Sequence, residues 1–162
     1  MRAPVSILAT AVVCCGALLA IGSREPAPNF HAKTLDGEVL SNESLKGKVV
    51  LLQFWTTWCP YCRKDQDAVE AVVHDFGGRG LVVLAVNVGE SKKKVKQYLA
   101  DSPRTCKVVL TDDTNLAAMF AAKSYPLYVL IDRGGNIAGQ QDGAAGEGTL
   151  RDLLARAGLD SE

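Results

Sequence analysis

Hydrophobic positions along this chain of 162 residues change period several times, and the changes outline its elements. An almost uninterrupted apolar run covers Ala3 to Ile21, a Pro-containing stretch follows at 23–29, and patterned sequence starts near Phe30. Thr34 to Leu40 reads as a small hairpin with Asp36-Gly37 at its turn. Val49 to Trp55, bounded by Gly47 and by Thr56-Thr57, predicts a central buried strand. A helix is expected from Cys59-Pro60, because proline suits the first helical turn. Val69, Val72, Val73 and Phe76 continue it at helical spacing, and Gly77-Gly78 ends it. Leu81 to Val88 predicts a second buried strand. Ser91 is the N-cap expected for a helix to about Ala100, stopped by Asp101-Ser102-Pro103.

Further on, Val108 to Leu110 reads as a short strand and Asn115 to Ala122 as a helix presenting Leu116, Met119 and Phe120. Leu127–Asp132 and Ile137–Gln140 flank the tight turn Arg133-Gly134-Gly135-Asn136 and therefore predict an antiparallel pair. Gly143 to Gly148 reads as a loop, and Thr149 to Ala157 as a last helix with Leu150, Leu153 and Leu154 on one face. This order predicts an α/β domain: a mixed sheet with helices on its faces and right-handed crossovers.

Charge narrows the function. The 18 basic and 18 acidic residues cancel and the pI is near 6.7, so the footprint of a nucleic-acid partner is missing. Met1-Arg2, the apolar run and the residues Ala20-Ile21-Gly22 fit a secretory signal cleaved after Gly22. The same run, about 19 residues, is long enough to stay as a membrane anchor, with Arg2 on the cytoplasmic side. Both readings export the folded part to the periplasm or another extracytoplasmic space. The expected organisation is a signal or anchor at 1–22, a linker at 23–29 and one domain at 30–158. A domain of that size buries an adequate core without disulfide staples. Cys14 and Cys15 lie inside the apolar run and read as small apolar residues.

The chemistry points to Cys59-Pro60-Tyr61-Cys62. Two cysteines separated by two residues, at a strand-to-helix junction, can meet across one helical turn as a small disulfide. Cys59, at the helix N-terminus, is the expected nucleophile, because unpaired N–H groups and the helix dipole stabilise a thiolate. Cys62, one turn deeper, is the expected resolving thiol. Half of a zinc site is the competing reading, but no second pair accompanies it: His31, His74 and Cys106 are the remaining candidates. No metal and no cofactor are expected.

Phe54-Trp55-Thr56-Thr57-Trp58-Cys59-Pro60-Tyr61-Cys62 resembles a thioredoxin-fold active site. Ala27-Pro28-Asn29-Phe30, Leu45-Lys46-Gly47-Lys48-Val49-Val50-Leu51 and Ser124-Tyr125-Pro126 follow the order seen in the TlpA/ResA-like branch of thiol:disulfide oxidoreductases. The resemblance spans about residues 26 to 157. It implies a thioredoxin-like fold with an extra βα insertion between Cys62 and Pro126, beside the small N-terminal hairpin. It also implies that Pro126 is a cis proline facing the disulfide, with the Tyr125 backbone pairing with the substrate chain. Two departures stand out. Plain thioredoxins carry a buried acid where this chain has Gln53; Asp65, on the helical face of Cys62, is the candidate proton acceptor instead. Pro60-Tyr61 is similar to glutaredoxins, whereas the branch more often places proline directly before the second cysteine.

Trp58 is the expected exposed platform for the substrate chain, with Pro60, Tyr61 and Tyr125 beside it, while Trp55 is expected in the core. Cys106 reads as a small buried residue, and Lys92, Lys93, Lys94 and Lys96 as a solvated helix face. The function expected is an exported thiol:disulfide oxidoreductase acting on cysteines of other exported proteins. The resemblance implies a reductase, with apocytochrome c among its substrates and a membrane thiol:disulfide electron donor upstream. Competing readings are an oxidase or isomerase, a thiol peroxidase, and a redox-gated or metal-binding module without catalysis. Thr56-x-x-Cys59 matches part of the peroxidase motif, but Leu52 stands where that motif needs proline.

Overall fold

The computed structural model describes residues 24–160. The predicted signal or anchor at 1–22 lies outside them. Seven strands form one sheet: β1 (His31–Thr34), β2 (Val39–Ser41), β3 (Val49–Trp55), β4 (Leu81–Asn87), β5 (Lys107–Thr114), β6 (Leu127–Ile131) and β7 (Ile137–Asp142). Their order is β2-β1-β5-β4-β3-β6-β7. β3, β4 and β5 run parallel, while β1, β2, β6 and β7 add antiparallel pairs at the two sides. Helices α1 (Pro60–Lys64), α2 (Gln66–Phe76), α3 (Lys92–Asp101), α4 (Leu116–Met119) and α5 (Gly146–Ala155) complete the expected mixed α/β architecture.

Every residue of β3 is buried, because its alternate side chains enter two separate cores. Val49, Leu51 and Trp55 pack with Val69, Val72 and Phe76 of α2, Val95 of α3, and Leu150 and Leu154 of α5. Val50, Leu52 and Phe54 face Phe30, Leu40, Leu45 and Leu116 on the other side. β6 leaves the disulfide end of the sheet antiparallel to β3, so the β6–β7 turn lies at the opposite end. Residues 24–27, within the stretch expected as a linker, are strapped to that turn. Arg24 pairs with Asp132 at 3.0 Å, and Ala27 N donates to Gly135 O at 2.9 Å.

Four boundaries differ from the sequence-based expectation. The helix after Cys59 is not continuous; Asp65, with ψ near −4°, separates α1 from α2. β5 runs on through polar residues to Thr114, because Thr114 pairs with Ala32 across a register shift rather than entering the core. α4 is a single turn, ended where Ala121 takes a positive φ of 47°. α5 starts at Gly146, inside the expected loop, because its first amides are capped by a distant side chain described below. α5 also lies very close to the sheet: a Cβ on Gly139 would stand 2.7 Å from Leu153 Cδ1.

Candidate active site

β3 delivers its C-terminal end, Trp55, to a short loop, Thr56-Thr57-Trp58, and then to Cys59. Cys59 has extended backbone (φ −75°, ψ 113°) and is the N-cap of α1, with Pro60 in the first turn. Its Sγ accepts a hydrogen bond from Cys62 N at 3.1 Å. The two cysteines form a disulfide across a Cα separation of 5.3 Å. Donors at a helix start stabilise a thiolate when such a disulfide opens. Cys62 is fully buried and Cys59 nearly so, while Trp58 and Tyr61 beside them are each 61% exposed. The disulfide is therefore buried beside two exposed aromatic side chains.

The loop before Cys59 is clamped from β4's end. The Glu90 carboxylate accepts from Thr57 N and Thr57 Oγ1, both at 2.6 Å, from Asn87 Nδ2 at 2.8 Å and pairs with Lys94 Nζ at 2.7 Å. Burial pushes this carboxyl up, but Lys94, Thr57 and Asn87 outweigh it and hold it at about 2. Across the disulfide stands the Tyr125–Pro126 peptide, which is cis. Tyr125 O lies 3.5 Å from Cys59 Sγ, and the Tyr125 ring meets Trp58 edge-on at 6.2 Å.

Behind the disulfide lies a buried polar chain. Asp65 is almost fully buried. Its Oδ2 accepts from Tyr128 Oη at 2.9 Å and from Ala145 N at 2.6 Å, and its Oδ1 from Gly146 N at 3.1 Å. Tyr128 Oη accepts from Gln53 Nε2 at 3.2 Å, and Gln53 Oε1 accepts from Arg104 Nη1 at 2.7 Å. The Arg104 guanidinium lies over the Trp55 ring, 4.0 Å from its centroid. Burial, and then the Asp65 carboxylate, push the Tyr128 hydroxyl far up, so it stays protonated.

Cys59, Cys62, Trp58 and Tyr125 thus come together, with Pro60, Tyr61 and Pro126 next to them in the chain, and Asp65 stands at the C-terminal end of α1. Sequence reasoning overlooked Glu90, Tyr128 and Arg104. Glu90 stands in a polar turn, Tyr128 inside an apolar strand and Arg104 in a loop, and none carries a local signal. Other residues stay out of the cluster. Trp55 is in the core, His31 and His74 are exposed, and Lys92, Lys93 and Lys96 face solvent. Cys106 is a buried free thiol, which burial raises to about 11. Among the described residues, no three His, Cys, Asp or Glu side chains converge on a possible metal site. A cavity of about 260 Å³ lies at the opposite end of the sheet, between Phe30, Lys48, Ile131 and Arg133, away from the disulfide.

Residues 23–140 match the AhpC/TSA family. The chain is 36% identical over 138 residues to the thioredoxin-like protein YneN of Bacillus subtilis, covering 84% of this chain and 79% of that protein. It is 31% identical over 134 residues to the thiol-disulfide oxidoreductase ResA of the same organism, covering 83% and 75% of the two chains. The crystal structure of a thiol:disulfide interchange protein of the thioredoxin family from Chlorobium tepidum superposes with a TM-score of 0.75. It shares 27% identity over 85% of this chain and 99% of that one. Fold, disulfide and relatives agree: the chain belongs to the AhpC/TSA family and is one of its thioredoxin-like, ResA-type thiol:disulfide oxidoreductases.

Proposed function

We propose that this protein is an exported reductase of disulfides in other exported proteins, the haem-site cysteines of apocytochrome c among them. The observation that carries the reading is the placement of Cys59 Sγ. It sits at the start of α1, 3.1 Å from Cys62 N and 3.5 Å from the Tyr125 carbonyl, in a loop-to-helix segment that also carries the exposed side chains of Trp58 and Tyr61. In the reduced protein Cys59 is the nucleophile. Its thiolate attacks a substrate disulfide, and one substrate sulfur leaves as a thiolate. Cys62 then passes its proton to Asp65 and attacks Cys59 Sγ. The mixed disulfide breaks, the second substrate sulfur leaves, and two electrons have moved from Cys59 and Cys62 to the substrate.

Trp58, Pro60 and Tyr61 supply the apolar surface along the substrate chain. The Tyr125 carbonyl stands 3.5 Å from the sulfur, where an extended peptide can pair with the Tyr125 backbone. The apolar run at 3–21 supports export, as a cleaved signal or as a retained anchor. An oxidising compartment then demands a membrane thiol:disulfide donor to restore the dithiol. The TlpA/ResA resemblance is what points to apocytochrome c.

The equilibrium reduction potential of the Cys59–Cys62 pair tests this. A value of about −270 mV or lower is expected and fits a reductase with an upstream donor. A value of about −120 to −180 mV would make the protein an oxidase or isomerase, and the cytochrome assignment would go. Appreciable peroxide consumption by Cys59 in a Cys62→Ser chain would instead move the assignment to a thiol peroxidase.

A further inference from the structure

We infer that Arg104 is a positioning residue for disulfide exchange: acting through Gln53 and Tyr128, it sets the direction of the hydrogen-bond chain that ends on Asp65. The inference rests on the reading of Asp65 as the proton acceptor for Cys62.

The argument is one of donors and acceptors. A guanidinium has only donors, so the Gln53 atom facing Arg104 Nη1 at 2.7 Å must be the amide oxygen. The Gln53 NH2 group is then forced toward Tyr128 Oη at 3.2 Å, and Tyr128 Oη must accept there. Its single proton is left for Asp65 Oδ2 at 2.9 Å. Gln53 and Tyr128 are completely buried, so water cannot restore the order if the first link is lost. The Arg104 guanidinium lies over the buried Trp55 ring and beside the Cys106 thiol, and its Nε and Nη2 make no hydrogen bond to a nitrogen or oxygen among the described residues. Its bond to Gln53 is therefore its polar anchor within the core. A thioredoxin-type acid at position 53 would meet Arg104 as a salt bridge; the neutral amide instead relays polarity without adding a second buried negative charge beside Asp65.

The groups around Asp65 allow this control. β6 offers Tyr128, and β3 offers Gln53. The α5 start offers the amides of Ala145 and Gly146, with Glu147 turned to solvent and bound to Arg151. α1 offers Cys62, with Arg63 and Lys64 exposed, and Asp67 at the start of α2 is exposed too. Among the described residues, Tyr128 is the side chain that donates to the carboxylate, and Arg104 decides where its proton points. Without Arg104 the Gln53 amide can turn over, Tyr128 can donate to Gln53 instead, and the carboxylate loses one donor. With one donor fewer, the carboxylate is held less firmly in the arrangement that accepts the Cys62 proton, so release by Cys62 slows.

The test is single-turnover exchange of the reduced, full-length chain with oxidised glutathione, resolving attack by Cys59 from release by Cys62 across pH. Arg104→Met and Tyr128→Phe are each expected to slow the release step about threefold, with attack by Cys59 unchanged. Arg104→Lys, which keeps a donor-only cation, is expected to restore much of the release rate. In an Asp65→Asn background the Arg104 and Tyr128 changes should have no further effect. An unchanged release rate in both Arg104→Met and Tyr128→Phe, with a clear change in Asp65→Asn, would overturn the role of Arg104 and leave Asp65 in place. A silent Asp65→Asn would remove the acceptor itself, and the inference about Arg104 with it. Tyr128→Phe keeps the ring and the core, so the test survives if Arg104→Met fails to fold.

Discussion

Asp65 and Ala145 are 80 residues apart in the chain, yet the Asp65 carboxylate accepts the Ala145 amide proton at 2.6 Å. One side chain thus ends the helical turn that carries Cys62 and caps the last helix of the domain, with Gly146 N as a second donor at 3.1 Å. α5 has no side-chain cap of its own, so its start depends on this distant acid.

Replacing Asp65 should consequently damage stability as well as exchange. Asp65→Ala leaves the donors of Tyr128, Ala145 and Gly146 without their acceptor in a buried site. A loss of about 2–4 kcal/mol is expected in urea unfolding. Hydrogen exchange should reveal the location: amides in the first turn of α5 lose protection before those of β3. Equal loss across all elements would show that Asp65 is not a local cap.

Glu90 makes acid stability predictable in sign. Its carboxyl is held at about 2, below its ordinary 4.5, so its stabilising effect is complete above about pH 4.5 and disappears as pH falls toward 2. The depression corresponds to a contribution on the order of 3 kcal/mol. Glu90→Gln should therefore be less stable than the parent at pH 7, and the gap should close between pH 4.5 and 2. Parallel unfolding curves at pH 7 and pH 3 would check this; a gap that persists undiminished at low pH would refute it.

Trp58 should matter for protein substrates and little for small ones. Its exposed ring, edge-on to Tyr125, offers an apolar ledge beside Cys59 that a small thiol does not need. Trp58→Ala is expected to raise KM for a protein disulfide by about five- to tenfold, with the rate of reduction by dithiothreitol unchanged. A uniform fall for both would indicate a disturbed loop rather than a lost contact.

Cys106 should be chemically silent in the folded protein. Burial raises its thiol to about 11, so at pH 8 about one molecule in a thousand carries the thiolate. Iodoacetamide should leave the Cys106 peptide unlabelled in the native oxidised chain and label it fully in denaturant. Rapid native labelling, read peptide by peptide, would contradict the buried placement.

Much of this protein was readable from local pattern. β3 and β4 show as apolar runs, the β6–β7 pair as two strands around Gly134-Gly135, and the exchange motif as cysteines at a strand-to-helix junction. Each rests on neighbours within a few positions, where hydrophobic period, turn chemistry and motif spacing act. Boundaries set by distant partners were not readable. β5 extends because Thr114 finds Ala32, and α5 begins early because Asp65 covers its amides.

The same division holds at the site. Local spacing settled which sulfurs meet, since one turn of helix brings Cys59 and Cys62 together whatever surrounds them. It also placed an acid one turn beyond Cys62. The tertiary structure decided what that acid does, because its three donors arrive from β6 and from the start of α5. It also decided that Glu90 clamps the loop before the nucleophile and that Arg104 fills the space behind Gln53. A hydrogen bond depends on approach within about 3 Å, and the order of strands in the sheet, not their order in the chain, brings such groups within reach.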